Sequence, residues 1–414
     1  MRARFLLLTA AIFAGVLVAP ASALPSSVKS IDAPWVYFYA DGSSGKQIVK
    51  DPIPRAYAVD KSLVKSSFKV DFTTTPAIYH PAINAAVDIW SQNFVSNVPV
   101  KVKVTWGRQS SSAILAAASP GKLHNNFKNI PDSDLWYASA LADAIAGEDI
   151  EPTIEEVSIR INSTNGPMLY LGTDGNCPSD KYDLVSMILH EMAHGLGFLS
   201  NADYDDLYGY GSIQQPTPFD AYAQLPDGRR LMDLDSPSLE LGTALTEPLV
   251  WSGANGIRAN NGIKPLLYTP SPYERGSSVS HLDEDTFANS ERDAVMSPNL
   301  NRGEVFHSPG PLLIAMFEDL MAKPPVGIPF GIPSVPRNVK ALVASKSAII
   351  SFDPPTNQRT TQITSYIITV NQTGVEKSVT TSPAIITGLA NGTTYSFTVR
   401  AKNAVGISVE ATTN

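Results

Sequence analysis

Apolar and polar positions alternate in two rhythms, and the change from one to the other divides the chain. Between residues 79 and 94, Ile83, Ala86, Val87, Trp90 and Phe94 recur at the spacing of one helix face. Residues 98–106 alternate valine with lysine and end on an aromatic, which predicts a half-buried strand. Residues 135–146 are alanine-rich and predict a helix, and Val157–Asn162 returns to a period of two and predicts another strand. Leu184, Val185, Met187, Ile188, Leu189 and Met192 then form a long apolar run. Pro178-Ser179-Asp180 precedes it, with Ser179 or Asp180 as the expected N-cap, and Gly195 and Gly197 are placed to end the helix in a left-handed turn. Residues 201–286 are rich in Gly, Pro, Asp and Asn and show no clear period, whereas 311–322 put Leu312, Leu313, Met316 and Leu320 on one helix face. After the prolines at 324, 325, 329, 333 and 336, a semi-rigid linker composition, only short alternating segments and turns remain. The expected organisation is an α+β domain over residues 24–323, a linker over 324–336 and an all-β sandwich over 337–414.

A chain of 414 residues suits two domains, and 43% hydrophobic against 17% charged residues is a globular balance. Residues 1–23 have the form of a secretory signal: Arg2 and Arg4, an apolar stretch over 5–18, and Ala21-Ser22-Ala23 as cleavage site. The apolar stretch is short for a membrane span and no later run is longer, so the mature chain is expected to be secreted and to have no transmembrane segment. Removing Arg2 and Arg4 from the 31 basic side chains leaves 29 against 39 acidic ones, a net charge of −10 that argues against nucleic acid as partner. Cys177 is the only cysteine, so no internal disulfide holds the fold, and the expected state is a partly buried, inert thiol. Asn162, Asn371 and Asn391 stand in Asn-x-Ser/Thr sequons.

Within the apolar run lies His190-Glu191-Met192-Ala193-His194. Histidines four apart on a helix share one face, one turn apart, and as neutral imidazoles can ligate one zinc ion. Glu191 beside them can take a proton from a zinc-activated water. Chance supplies such a pentad in about one chain of this length in a hundred. The bland alternative is a buried helix with two satisfied histidines. A third ligand must come from elsewhere. Of the six histidines, His80 and His124 lie far upstream, His281 follows, and His307 is the runner-up; Asp203 or a downstream glutamate would also serve. Asp203-Tyr204-Asp205-Asp206 offers carboxylates for calcium, although a solvated acidic turn accounts for the same residues.

The C-terminal segment resembles a fibronectin type III domain through Pro336, Phe352-Asp353-Pro354-Pro355, Tyr366, Leu389, Tyr395 and the run from Ala401 to Gly406. Leu389 to Tyr395 matches that family's tyrosine corner, and Phe352 stands where the family usually has tryptophan. The fold does not carry a function, and no Arg-Gly-Asp lies in it; a passive spacer or a module that binds a surface or matrix component is the expectation.

The larger segment resembles the metzincin metalloproteases, whose zinc motif continues through a glycine, here Gly197, to a third histidine; this chain has Ser200 there instead. It is similar to the leishmanolysin-like branch, in which a long insertion precedes the third histidine. The matching residues are Ser280-His281-Leu282-Asp283-Glu284-Asp285-Thr286-Phe287, then Ala294-Val295-Met296-Ser297-Pro298, with Gly303-Glu304 and Pro309-Gly310-Pro311 beyond. The paired cysteines of the parasite enzymes are absent. The resemblance covers about residues 75–322 and is strong from Gly172 onward. It implies a zincin fold, one catalytic zinc on His190, His194 and His281, Glu191 as general base, and Met296 as a Met-turn residue beneath the metal. Val157–Asn162 is the candidate edge strand for pairing with an extended substrate, or an ordinary sheet strand. Two functions follow: a secreted zinc endopeptidase acting on proteins or peptides outside the cell, or a secreted adhesion or binding protein with a degenerate protease domain. Retention of Glu191 favours the first.

Overall fold

The computed structural model describes residues 28–40, 65–287, 290, 292–322, 333–355, 363–404 and 406–413. The expected signal at 1–23, residues 24–27 and 41–64, and the linker from 323 to 332 lie outside the described residues. No helix among the described residues is long and apolar enough to cross a membrane.

The larger domain is mixed α/β. In chain order, its framework is β1 (Lys29–Ile31), β2 (Val36–Ala40), β3 (Phe68–Asp71), α1 (His80–Asn93), β4 (Val100–Gly107), β5 (Ile114–Pro120), β6 (Leu123–Asn125), β7 (Tyr137–Ala138), α2 (Ser139–Ala146), β8 (Val157–Asn162), α3 (Leu184–Leu196), β9 (Asn299–Leu300) and α4 (Gly310–Met321). Six strands form the main sheet in the order β9-β2-β5-β8-β4-β3. Strands β3, β4 and β8 run parallel, β5 is antiparallel to both β8 and β2, and β9 is parallel to β2. Alternation does the sorting: Val100, Val102 and Val104 of β4 and Val157, Ile159 and Ile161 of β8 are buried, with polar residues between them. Helices α1 and α3 pack together on the sheet, joined where the Trp90 indole donates to the Leu189 carbonyl at 2.9 Å.

Two expectations change. Strand β8 has the predicted bounds, but it is interior, between β5 and β4, so both its edges are already paired and no substrate can add to it. The helix expected over 135–146 is helical only from Ser139, because Tyr137–Ala138 pairs with β6 instead. The insertion over 201–286 is built from short pieces, among them helices Pro218–Tyr222, Leu239–Ala244 and Ala254–Ala259. Asp319 of α4 ties the insertion down, accepting from the Trp251 indole at 3.0 Å and from the Asn255 and Gly256 amides at 3.0 and 2.9 Å.

The C-terminal residues form two packed antiparallel sheets. One contains β10 (Arg337–Ala344), β11 (Ser347–Asp353) and β14 (Ala384–Thr387), in the order β10-β11-β14. The other contains β12 (Ser365–Val370), β13 (Val375–Val379), β15 (Phe397–Lys402) and β16 (Ala411–Thr412), in the order β13-β12-β15-β16. Their inner faces share a core of Ile350, Phe352, Tyr366, Ile368, Ile386, Phe397 and Val399. The Phe352 and Tyr366 rings meet at 4.7 Å, and the Tyr395 hydroxyl accepts from the Ala390 amide at 3.2 Å, the bond expected of the tyrosine corner.

Candidate metal centre

Helix α3 is buried along its whole length, an arrangement that suits apolar residues and requires an internal partner for every polar one. Its start lies later than expected. Asp183, not Ser179 or Asp180, is the N-cap, because Tyr182–Asp183 is still extended, paired with Leu169–Tyr170. The Asp183 carboxylate accepts from the Ser186 amide at 2.8 Å and the Ser186 hydroxyl at 2.7 Å, and meets His307 Nε2 at 2.9 Å. Gly195 stays inside the helix, where a Cβ would lie 2.2 Å from Val157 Cγ1 of β8; its hydrogen side chain lets α3 sit directly on the sheet. Gly197 ends the helix at φ 126°, a backbone region that favours glycine.

The turn that Gly197 makes brings His194 to the Phe198 carbonyl and sends the chain into Ser200. That serine is no ligand. Its hydroxyl donates to Asp220 Oδ1 at 2.5 Å and its amide donates to Ser280 Oγ at 3.1 Å, fastening the helix end to the segment that carries His281. Asp220 also accepts from the Asn201 and Thr217 amides at 3.1 and 2.8 Å.

His190, His194 and His281 meet at one point. Their Nε2 atoms are 3.0 Å apart for His190 and His194 and 3.2 Å apart in each pair that includes His281. Each Nδ1 donates to a backbone carbonyl: His190 to Val295 at 2.6 Å, His194 to Phe198 at 2.7 Å and His281 to Ser277 at 2.7 Å. The tautomer is thereby fixed, and each Nε2 turns a lone pair inward. Burial, with the neighbouring imidazoles, holds His190 and His194 well below the usual histidine range, and burial lowers His281 to about 4. The donor set fits zinc. Tetrahedral ligands at about 2.0–2.1 Å from a metal are roughly 3.3 Å from one another, close to the spacing here. Both Glu191 carboxylate oxygens are buried without a hydrogen-bond partner, and burial raises that carboxyl well above its usual value. Such an orphan is costly unless a cation or water is its partner.

The turn Ala294–Met296 supports two of the histidines from below. The Val295 carbonyl holds His190, and the Met296 carbonyl accepts from the amide of Leu282, next to His281, at 2.9 Å. The Met296 side chain is fully buried in the main core. The other candidates go elsewhere. His307 is buried against Asp183, His80 Nε2 donates to the Thr75 carbonyl at 2.9 Å, and His124 lies between the Ser30 and Ser139 hydroxyls. Asp203 and Asp206 are both ion-paired with Arg275, and Asp205 caps the Leu207 and Tyr208 amides. Asp203, Asp205 and Asp206 are exposed, and Arg275 closes the turn they form. Cys177 is buried, with its thiol near the Pro178 and Lys181 carbonyls.

Among the described residues, a second cluster also brings three ligand-type side chains together, Asp143, Asp149 and Glu156. It already holds a cation: the Lys101 ammonium lies 2.9 Å from Asp149 and 3.2 Å from Glu156. Asp183, Asp220 and the three histidine-holding carbonyls were not singled out from sequence, and His307 was named only as the runner-up third ligand. Only Asp183 carried a signal there, an Asp three residues before Ser186 at the head of an apolar run. Phe38 carried none, yet its ring stacks on His190 with centroids 3.6 Å apart and planes 11° apart.

No curated protein matches the chain. A family model, the fibronectin type III domain, matches residues 334–414. Solved structures similar to part of the chain include titin domains at 24% identity, covering 20% of this chain and 31% of that one with a TM-score of 0.19. The twitchin kinase region of C. elegans is 24% identical, with 20% and 16% covered and a TM-score of 0.19. An FN3tt variant is 18% identical, with 20% and 92% covered and a TM-score of 0.18. The chain thus spans less than a third of the titin and twitchin structures it matches. With the two-sheet core and the Tyr395 corner in place, residues 334–414 are a fibronectin type III domain.

Proposed function

We propose that the larger domain is a secreted zinc endopeptidase of the leishmanolysin-like metzincin type, carrying the fibronectin type III domain as an appended module. One observation supports this above the rest: three buried imidazoles converge at 3.0–3.2 Å through Nε2 beside a buried, unpartnered glutamate. When bound, zinc supplies a Lewis acid that polarises a scissile carbonyl and makes water acidic near neutral pH. His190, His194 and His281 stay neutral because burial depresses their basicity, so none carries a proton on the inward nitrogen. The Val295, Phe198 and Ser277 carbonyls hold the rings in orientation. Glu191 takes the proton of the attacking water on a carboxylate oxygen and returns it to the leaving amine. Burial raises this carboxyl, and a dication held by the three histidines would act in the opposite sense. The substrates are proteins or peptides outside the cell, in keeping with the signal-like residues 1–23.

The test is elemental analysis of the full chain followed by casein digestion, with Glu191→Gln as comparison. One zinc per chain, wild-type cleavage and a zinc-loaded but inactive Glu191→Gln variant are expected. Zinc without cleavage of any protein would point instead to a binding protein with a disused site. Folded, chelator-free protein without zinc would remove the reading altogether.

A further inference from the structure

Where its two sheets meet, the fibronectin type III domain opens a cleft of about 710 Å³. Pockets of about 300–1,000 Å³ hold small organic ligands, so there is room for one or two sugar rings. Strands β10 and β11 supply one wall, the start of β12 another, and the connection over 380–382 a third. The Phe352 and Tyr366 rings pack on each other at the base, 5% and 7% exposed, and most of the other lining side chains are polar. Ser351, Tyr366, Thr380 and Thr381 bring hydroxyls to it, and Lys340, the facing residue of Ser351, brings an ammonium. Among the described residues, no hydrogen bond or ion pair holds any of these five polar groups. Their neighbours are already engaged: Asp353 accepts from the Asn338 side-chain amide at 2.6 Å, and the Ser382 hydroxyl accepts from the Phe352 amide at 2.8 Å. A hydroxyl both donates and accepts, so four of them match a ligand rich in hydroxyls. One ammonium adds a place for one negative charge.

The charge of the domain points the same way. Residues 334–414 carry seven basic and three acidic side chains, a net charge of +4. Of the 29 basic and 39 acidic side chains beyond residue 23, this leaves 22 and 36 for residues 24–333, a net charge of −14. A polyanion repels the larger domain and attracts the smaller one.

We propose that this cleft binds a sugar unit bearing a carboxylate, and that the fibronectin type III domain thereby anchors the acidic larger domain to an acidic polysaccharide. Lys340 pairs with the carboxylate, and Ser351, Tyr366, Thr380 and Thr381 exchange hydrogen bonds with the ring hydroxyls. The ion pair is solvent-facing, because Lys340 is exposed, so binding weakens as salt rises. An apolar guest would leave all five groups without partners, which excludes a lipid chain or an aliphatic side chain as the natural occupant. Neither zinc nor Glu191 takes part, so the site stands or falls separately from the endopeptidase reading.

The experiment titrates the full chain by calorimetry with polygalacturonate, alginate and hyaluronate, then with the methyl ester of whichever binds and with polyglutamate. At least one of the acidic polysaccharides should bind, and its uncharged ester and the sugar-free polyanion should each bind about 10-fold more weakly or worse. Lys340→Gln should weaken binding by about 10-fold. Tyr366→Phe keeps the ring against Phe352 and removes only the hydroxyl, for a loss of about 3–10-fold. Lys402→Gln removes the same charge from β15, outside the cleft, and should change binding by less than about 2-fold because a screened charge off the site matters little. Unchanged melting temperatures confirm that the variants are folded. Binding to none of the three polysaccharides overturns the site. So does equal binding of the methyl ester or of polyglutamate, or a loss in Lys402→Gln as large as that in Lys340→Gln, since net charge alone would then account for the affinity.

Discussion

Gly195→Ala tests how helix α3, which carries His190 and His194, is seated. A methyl at this position would lie 2.2 Å from Val157 Cγ1 and 3.1 Å from its Cβ. Ordinary carbon contacts are about 3.5–4.0 Å, so roughly 1.5 Å must be found. Val157 cannot supply it by turning away: it is fully buried in β8 with β4 and β5 on either side, and a β-branched side chain has little freedom at χ1. The helix must lift instead. Alanine improves helix propensity by about 1 kcal/mol over glycine, while overpacking of this kind costs about 1–3 kcal/mol. With a 2.2 Å contact the overpacking cost falls at the upper end of that range, so the net expectation is a loss of about 2 kcal/mol, the difference of the two terms. His194 is the preceding residue, so zinc affinity should fall with it. Urea unfolding followed by tryptophan fluorescence is the assay, because all five tryptophans, Trp35 to Trp251, lie in the larger domain. Val157→Ala should rescue the variant in a double-mutant cycle with a coupling of about 1–2 kcal/mol. A Gly195→Ala chain as stable as wild type, or one whose loss is simply additive with Val157→Ala, would refute the close seat of α3 on β8.

Other substitutions separate the histidines and the two domains. His281→Ala should lose zinc and peptide cleavage together, whereas His307→Ala, which breaks only the buried contact to Asp183, should weaken zinc by at most about 10–100-fold while lowering stability; calorimetric zinc titration gives the order, and the reverse order sinks the assignment. In the metal-free chain, His281 has a folded pKa lowered from 6.5 to about 4, so the unfolded chain takes up the proton first as pH falls. Its contribution is fully present above about pH 6.5 and is lost toward pH 4, about 3 kcal/mol in all. Urea midpoints of wild type and His281→Ala should converge over that window; a constant difference contradicts the sign, and the comparison cancels Asp143, whose carboxyl, raised to about 7 by burial, acts in the opposite sense. Tyr395→Phe should cost the fibronectin domain about 0.5–1.5 kcal/mol by losing the bond from the Ala390 amide, read as a lower melting temperature of a chain segment spanning 334–414.

What the sequence made legible follows from the range of the forces involved. Strand β8 and helix α1 were readable because period-two and helical spacing are local, and the second domain because its turns and tyrosine corner fall within a few residues of one another. The histidine pair of α3 needed only the helix. His281 is different: it lies 87 residues beyond His194, and the sequence ranked it ahead of His307, the runner-up, with no contact to show for it. The geometry separates them through the Ser200–Ser280 bond and the Val295 and Ser277 carbonyls, all backbone or long-range contacts with no signature in side-chain order. Strand order was equally out of reach. Nothing in the alternation of Val157–Asn162 says whether its neighbours are present, and a short apolar piece such as Val36–Ala40 does not announce that it will pair with β5.

Strand β5 also has a consequence for the lifetime of the protein in solution. All seven of its residues, Ile114–Pro120, are buried, and none is charged. Natural sheets protect their borders with lysine, short strands or bulges, because an open row of amides and carbonyls recruits the next molecule. Here the cover is β2 itself. Any event that strips β2 away leaves an alanine-rich, uncharged border able to template a second chain, so a population lacking it should turn from monodisperse to self-associating as its concentration rises. The chain's solubility is thus written partly into a five-residue strand near its beginning, far in sequence from the border it shields.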